Sequence, residues 1–215
     1  MNKPLIITLS AFLLSIALGV YLSPLMPDSM VSHWGITGEP NGYMPKAVAL
    51  SLVPFIMLIM AGLFELFSHI DPLKENIASF RKEFDMFMIA LVLFLFYIHI
   101  LTLLWNMGIT FNLGQWMLPA MGLLFWNIGT LLGKTKRNYF VGIRTPWTLA
   151  NDTVWEKTHI LGGKLFKVSG IVTALGTFAP MYGFILLLVT IVMSAFISII
   201  YSYIVFKKES AITEK

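Results

Sequence analysis

The chain has 215 residues, of which 57% are hydrophobic and only 12% charged, and its mean hydropathy is +0.80. That is more apolar surface than one soluble core of this size can hide, so the sequence reads as an all-α integral membrane protein. The lack of cysteine excludes disulfides, thiol catalysis, thiolate metal sites and iron–sulfur clusters, and the net charge of +4 fits basic residues held on the cytoplasmic side of a membrane better than nucleic acid.

Residues 4–25 are free of charge and suffice to cross a hydrocarbon core, which takes about 20 helical residues. The opening Met-Asn-Lys has the look of a signal-peptide start, but no small-residue cleavage site follows Tyr21, so the segment is expected to stay as a helix. Residues 26–46 then form a loop, HWGITGEPNGYMPK at its centre, in which Gly35, Gly38, Pro40 and Gly42 predict successive turns. Trp34 and Tyr43 suit the headgroup layer. The loop is either an interface-anchored connection or an extracytoplasmic docking surface.

A second span is expected over 47–67, entered through Pro45 and kinked at Pro54, a third over 86–106 and a fourth over 113–132. Residues 168–206 form one apolar block that, as a single helix rising about 1.5 Å per residue, would overshoot a bilayer about twofold. The Pro-Met-Tyr-Gly run at 180–183 supplies the break, giving a short fifth span near 165–179 and a sixth over 181–206. With both termini cytoplasmic, every basic residue except Lys46 falls on the inner side. The expected organisation is an N-terminal two-span module, 1–70, and a four-span module, 71–215, with an inner loop at 134–164.

That inner loop holds the most specific string in the chain, NYFVGIRTPWTLANDTVW at 138–155. Gly142 permits close backbone approach, and Pro146 biases Thr145 away from helix, so Arg144 is presented from an extended or turned segment. Arg144 then either anchors on lipid phosphate or a helix C-terminus, or donates as a fork to a carboxylate or phosphate of a partner, with Trp147 and Trp155 as apolar walls. Thr153 and Glu156 have capping-box spacing for a helix that starts in the interface and runs through His159 into span five.

Three polar residues fall within spans. Glu65 is expected to reach inner headgroups, and His99 and Asn127 to make interhelical hydrogen bonds; the alternative is a proton or solute path. Asp71, Glu75, Glu83 and Asp85 surround Lys74, Arg81 and Lys82 and read as a solvated, self-neutralising connection. His33, His69, His99 and His159 are too scattered for a paired-histidine metal motif, and Gly162-Gly163 is no phosphate loop, so neither an enzyme nor a cofactor is expected.

Both polar segments resemble the SdpI family of bacterial membrane proteins. The outer loop is similar to that family's N-terminal module, with His33-Trp34, a glycine and proline turn, and Lys46 leading into the second span. The inner string is similar to its signature: Asn138, then Gly142-Ile143-Arg144-Thr145-Pro146-Trp147-Thr148, then an acidic residue before Thr153-Val154-Trp155. The resemblance implies a multi-pass protein of the bacterial plasma membrane that acts in toxin immunity and signalling. In the family, a member protects its producer from a secreted killing factor and helps hold a cytoplasmic autorepressor at the membrane. It implies partner-binding residues Asn138, Gly142, Arg144, Thr145, Pro146, Trp147, Thr148 and Trp155 inside, and His33, Trp34, Gly38 and Asn41 outside. Expected partners are the bilayer, a secreted toxin and a cytoplasmic repressor, with no direct contact to nucleic acid. The alternative function is a small ion- or solute-coupled transporter using Glu65, His99 and Asn127.

Overall fold

The computed structural model describes residues 3–213. Six long helices dominate it: α1 (Lys3–Leu22), α2 (Lys46–Ile70), α4 (Arg81–Asn106), α5 (Leu113–Leu132), α7 (Asp152–Leu175) and α8 (Pro180–Thr213). Short helices α3 (Lys74–Ser79) and α6 (Pro146–Ala150) sit in the connections. α1, α2, α4, α7 and α8 are long and apolar enough to cross a membrane. In α5, Gln115, Pro119 and Asn127 dilute an otherwise apolar helix of 20 residues.

The sorting of residues is that of a lipid-solvated bundle. Large apolar side chains face outward, with Leu13 63% and Phe178 85% exposed, while the buried stripe of α1 is Thr8, Ala11, Ser15 and Gly19. Without a hydrophobic drive between helices in lipid, close backbone approach supplies the packing. Gly122 lies against Gly170, and Gly129 against Gly163; a Cβ on either α5 glycine would come within 2.5 Å of the facing α7 carbonyl. α5, α7 and α8 pack closely on one another, joined also by Ser169 and Ser194, whose hydroxyls meet at 3.0 Å. α1, α2 and α4 form the neighbouring cluster around Ala11, Met57 and Val92, and α4 also packs on α5.

The turn between α7 and α8 comes slightly earlier than expected. α7 ends at Leu175, Gly176–Phe178 form a 3-10 turn, and Pro180 already opens α8. The fifth long helix is therefore continuous from Asp152, and the short helix that precedes it is α6. Pro54 is buried inside an uninterrupted α2.

One segment departs from the all-helical pattern. Residues expected only to turn instead form an antiparallel hairpin, β1 (Ser29–Trp34) and β2 (Pro40–Pro45). Gly38, at φ +87°, supplies the left-handed turn position, and bulges interrupt the register after Val31. The hairpin is tied at its base by Lys46, which pairs with Asp28 at 3.2 Å and donates to Met26 O at 3.0 Å. Asn106, at the end of α4, accepts from Val31 N at 2.8 Å and donates to Val31 O at 3.0 Å, docking β1 on the bundle.

Candidate functional site

The signature segment 138–155 is built around one fully buried amide. Asn138 donates to Lys136 O at 2.8 Å and Val141 O at 2.9 Å, and accepts from Phe140 N at 3.0 Å and Val141 N at 2.6 Å. All four of its hydrogen-bonding positions close the turn on itself. Asp71, only 2% exposed, then fastens the turn to the preceding connection: it accepts from Leu73 N at 2.6 Å and Tyr139 N at 2.8 Å. Asn76 adds a bond to Arg137 O at 2.7 Å, and Phe140 stacks on Phe67 with ring centroids 4.5 Å apart.

Beyond the turn the chain crosses α7. Gly142 takes φ +126°, and a Cβ there would strike His159 Nε2 and Trp155. His159 is buried, donates from Nδ1 to Trp155 O at 2.8 Å and accepts Ile143 N–H on Nε2 at 2.8 Å, so the two partners fix one neutral tautomer. Trp155, 1% exposed, stacks on His159 at 4.0 Å and donates to Thr135 O at 3.0 Å.

α6 is held by a reciprocal cap. Thr145 accepts from Thr148 N at 3.2 Å, its own N–H donates to Thr148 Oγ1 at 2.9 Å, and Thr148 donates to Ile143 O at 2.8 Å. Thr145 Oγ1 also meets Ser202 Oγ of α8 at 3.1 Å. Pro146 occupies the first helical turn, where its missing N–H costs nothing. Asn151, rather than Thr153, caps α7, accepting from Val154 N at 3.1 Å. Arg137 braces the end of α6 through Leu149 O at 2.9 Å and pairs with Asp152 at 2.9 Å.

The signature residues therefore divide in two. Asn138, Thr145, Thr148 and Trp155 are buried and spend their polar atoms internally, and Gly142 supplies clearance. Arg144 and Pro146 are exposed, and Trp147 is half-buried against Tyr203, with rings 5.1 Å apart. Arg144 donates to Tyr139 O of its own loop, and the other donors of its exposed side chain have no partner among the described residues. Trp155, expected as a wall beside Arg144, instead lies beneath the loop.

On the hairpin, His33 and Asn41 are exposed and meet at 2.5 Å, while Gly38 lies against the side chain of Asn112, the residue that caps α5. Trp34 packs edge-on against Trp105 at 5.9 Å, and its indole N–H is buried without a partner among the described residues. Beneath the hairpin is a cavity of about 320 Å³ lined chiefly by apolar side chains, Trp34, Met44, Ile98 and Phe184 among them.

The three polar residues expected within spans do not bond one another. Glu65 pairs with Arg81 at 2.9 Å, and Arg81 also holds Asp85 at 2.7 Å. Asn127 donates to Leu123 O of its own helix at 2.9 Å, in place of the expected interhelical bond. His99 is buried on α4, where its imidazole faces the backbone of Ser15 on α1 without closing a bond of good geometry. Asp71 is likewise no solvated charge. Sequence reading missed it, together with His159 and Asn106, because their partners lie far along the chain; among the described residues no three metal-ligating carboxylates or histidines converge.

Comparison with known proteins matches both polar segments. The model of the SdpI/YfhL protein family covers residues 134–202, and that of a domain of unknown function, DUF1648, covers residues 11–58. The chain is 26% identical over 205 residues to a Bacillus subtilis (strain 168) protein named "Immunity protein SdpI", spanning 95% of this chain and 94% of that one. No solved structure matches. Its apolar helices and this relative place it among multi-pass proteins of the bacterial cell membrane. The internally braced loop from Asn138 to Trp155, with α7 and most of α8, is the part of the chain that is similar to the SdpI/YfhL protein family.

Proposed function

We propose that this protein is a non-enzymatic immunity and signalling protein that protects its cell from a secreted antibacterial toxin. The observation that carries the reading is the likeness to Immunity protein SdpI along nearly the whole chain, both polar segments included. In this reading α5 also spans the membrane, as the fourth of six spans in chain order, and both termini are cytoplasmic. The hairpin, through His33, Trp34, Gly38 and Asn41, faces outward and engages the toxin. The loop 138–155 faces the cytoplasm and offers Arg144, Pro146 and Trp147 to a partner, such as a repressor held at the membrane. Asn138, Gly142, Thr145, Thr148 and Trp155 hold that surface in shape. An exposed guanidinium with free donors beside a half-buried tryptophan suits an acidic or phosphorylated partner.

Expression in a toxin-sensitive strain tests the reading directly. Wild-type chain should restore growth under toxin, and Arg144→Ala or His33→Ala should reduce protection while leaving the protein in the membrane. Unchanged killing with wild-type protein present would defeat the immunity role for that toxin. Because the chain lacks cysteine, one engineered thiol at position 144 reports the orientation alone. Labelling by an impermeant reagent from outside intact cells would reverse the assignment of sides.

A further inference from the structure

The seam between α4 and α5 has a polar pocket at one end and an apolar groove along the rest. The pocket, of about 470 Å³, lies where the start of α4, the end of α5 and the first turns of α7 meet. Lys134 and Lys136 line it from the connection that follows α5, Glu83 from α4 and Glu156 from α7. None of these four side chains joins an ion pair among the described residues. Two cations and two anions that share one cavity without pairing are spaced for a ligand bearing both signs. A phosphate satisfies the lysines and an ammonium the glutamates.

The groove identifies the rest of the ligand. On α4, Glu83 of the pocket is followed at helical spacing by Met86, Ala90, Leu93 and Tyr97, all of which line a groove of about 350 Å³. Across the seam it is lined by Leu123 and Asn127 of α5, and Lys134 follows two turns beyond Asn127, just past the helix end. Polar pocket and apolar groove thus lie on one stripe of the same two helices, and the groove opens between outward-facing Leu93 and Leu123, 50% and 64% exposed. A charged head with an apolar tail in line is the shape of a membrane lipid.

We propose that the α4–α5 seam binds one phospholipid whose headgroup carries both a phosphate and a primary amine. Lys134 and Lys136 receive the phosphate, Glu83 and Glu156 the amine, and the groove one acyl chain. His159 lines the same pocket and accepts the Ile143 N–H, so the bound headgroup lies against the residue that positions the signature loop.

Native mass spectrometry of the full chain, released from membranes of mixed phosphatidylethanolamine and phosphatidylglycerol, tests this. The expected result is preferential retention of phosphatidylethanolamine. Lys134→Ala with Lys136→Ala, or Glu83→Gln with Glu156→Gln, should lower the retained fraction on the order of tenfold. Leu123→Trp, which fills the groove and leaves the charges alone, should lower it too, while Lys82→Ala, outside the pocket, should not. Where the double lysine variant loses monodisperse elution, Lys134→Met alone carries the test. Equal retention of phosphatidylglycerol overturns the paired-charge headgroup, and competition by soluble glycerophosphoethanolamine overturns the acyl groove. Retention unaffected by every variant overturns the site.

Discussion

Asp71 and Tyr139 are joined at 2.8 Å, where the buried Asp71 carboxylate accepts the backbone N–H of Tyr139 from a connection 68 residues further along the chain. Through that bond, and the one from Leu73 N to the same carboxylate, the loop after α2 and the signature loop form a single unit. Asp71→Ala removes the acceptor of two part-buried N–H groups, those of Leu73 and Tyr139, which costs at most about 1–3 kcal/mol for each group. The expected outcome is faster tryptic cleavage at Lys136 and Arg137 with helix content unchanged. Protease resistance equal to wild type would show that the loop is held by other contacts.

Gly142 and His159 make a second joint. Gly142→Ala combines a φ of +126° with a Cβ driven into the imidazole, so it should destabilise by about 1–3 kcal/mol. His159→Phe keeps the stack on Trp155 but removes the acceptor for Ile143 N–H, with an expected cost of about 1–3 kcal/mol. Denaturation midpoints in mixed micelles measure both. The pair should be less than additive, because each breaks the same contact.

The glycine contacts between α5 and α7 predict a sharp contrast. A Cβ on Gly163 would meet Gly129 O at 2.7 Å, backbone that has nowhere to go, whereas one on Gly62 meets nothing within 4 Å. Gly163→Ala should therefore lower stability by about 1–3 kcal/mol, as overpacking does, while Gly62→Ala is neutral or stabilising. Similar midpoints for the two variants would refute the close-approach account.

Arg144→Ala separates structure from recognition. Its side chain is exposed and, among the described residues, bonds only to Tyr139 O of its own loop, so stability should change by no more than about 1 kcal/mol. Under the proposed function, protection against a toxin or capture of a cytoplasmic partner should fall severalfold, and Arg144→Lys should not restore it, because an ammonium lacks the planar fork. A large stability loss in Arg144→Ala would move this residue from recognition to scaffolding.

Helices were legible wherever apolar runs of bilayer length stood between polar turns, which is why the long helices fall close to their expected places. The hairpin was not, because Gly35, Gly38, Pro40 and Gly42 mask the alternation of a strand, and its docking partner Asn106 is distant in sequence. At the start of α7, Thr153 has the better sequence signature, yet α6 ends at Ala150 and leaves Asn151 extended, at φ −147° and ψ 127°, where its side chain reaches Val154 N first. In the signature, residue identity pointed to the right segment without sorting its members: burial divides the exposed Arg144 from the enclosed Asn138 and Trp155. Asn127 shows the remaining limit, since a helical amide in lipid can satisfy itself on its own backbone.

α4 touches both polar segments with its opposite ends. Asn106 grips β1, and Phe80 and Phe84 belong to the cluster against which Val141 of the signature loop packs. A helix of 26 residues is a rod of about 39 Å, and it does not flex appreciably along its axis. The hairpin and the signature loop are thereby mounted on opposite ends of one axle, so a displacement of the hairpin is carried to Val141 by the helix itself.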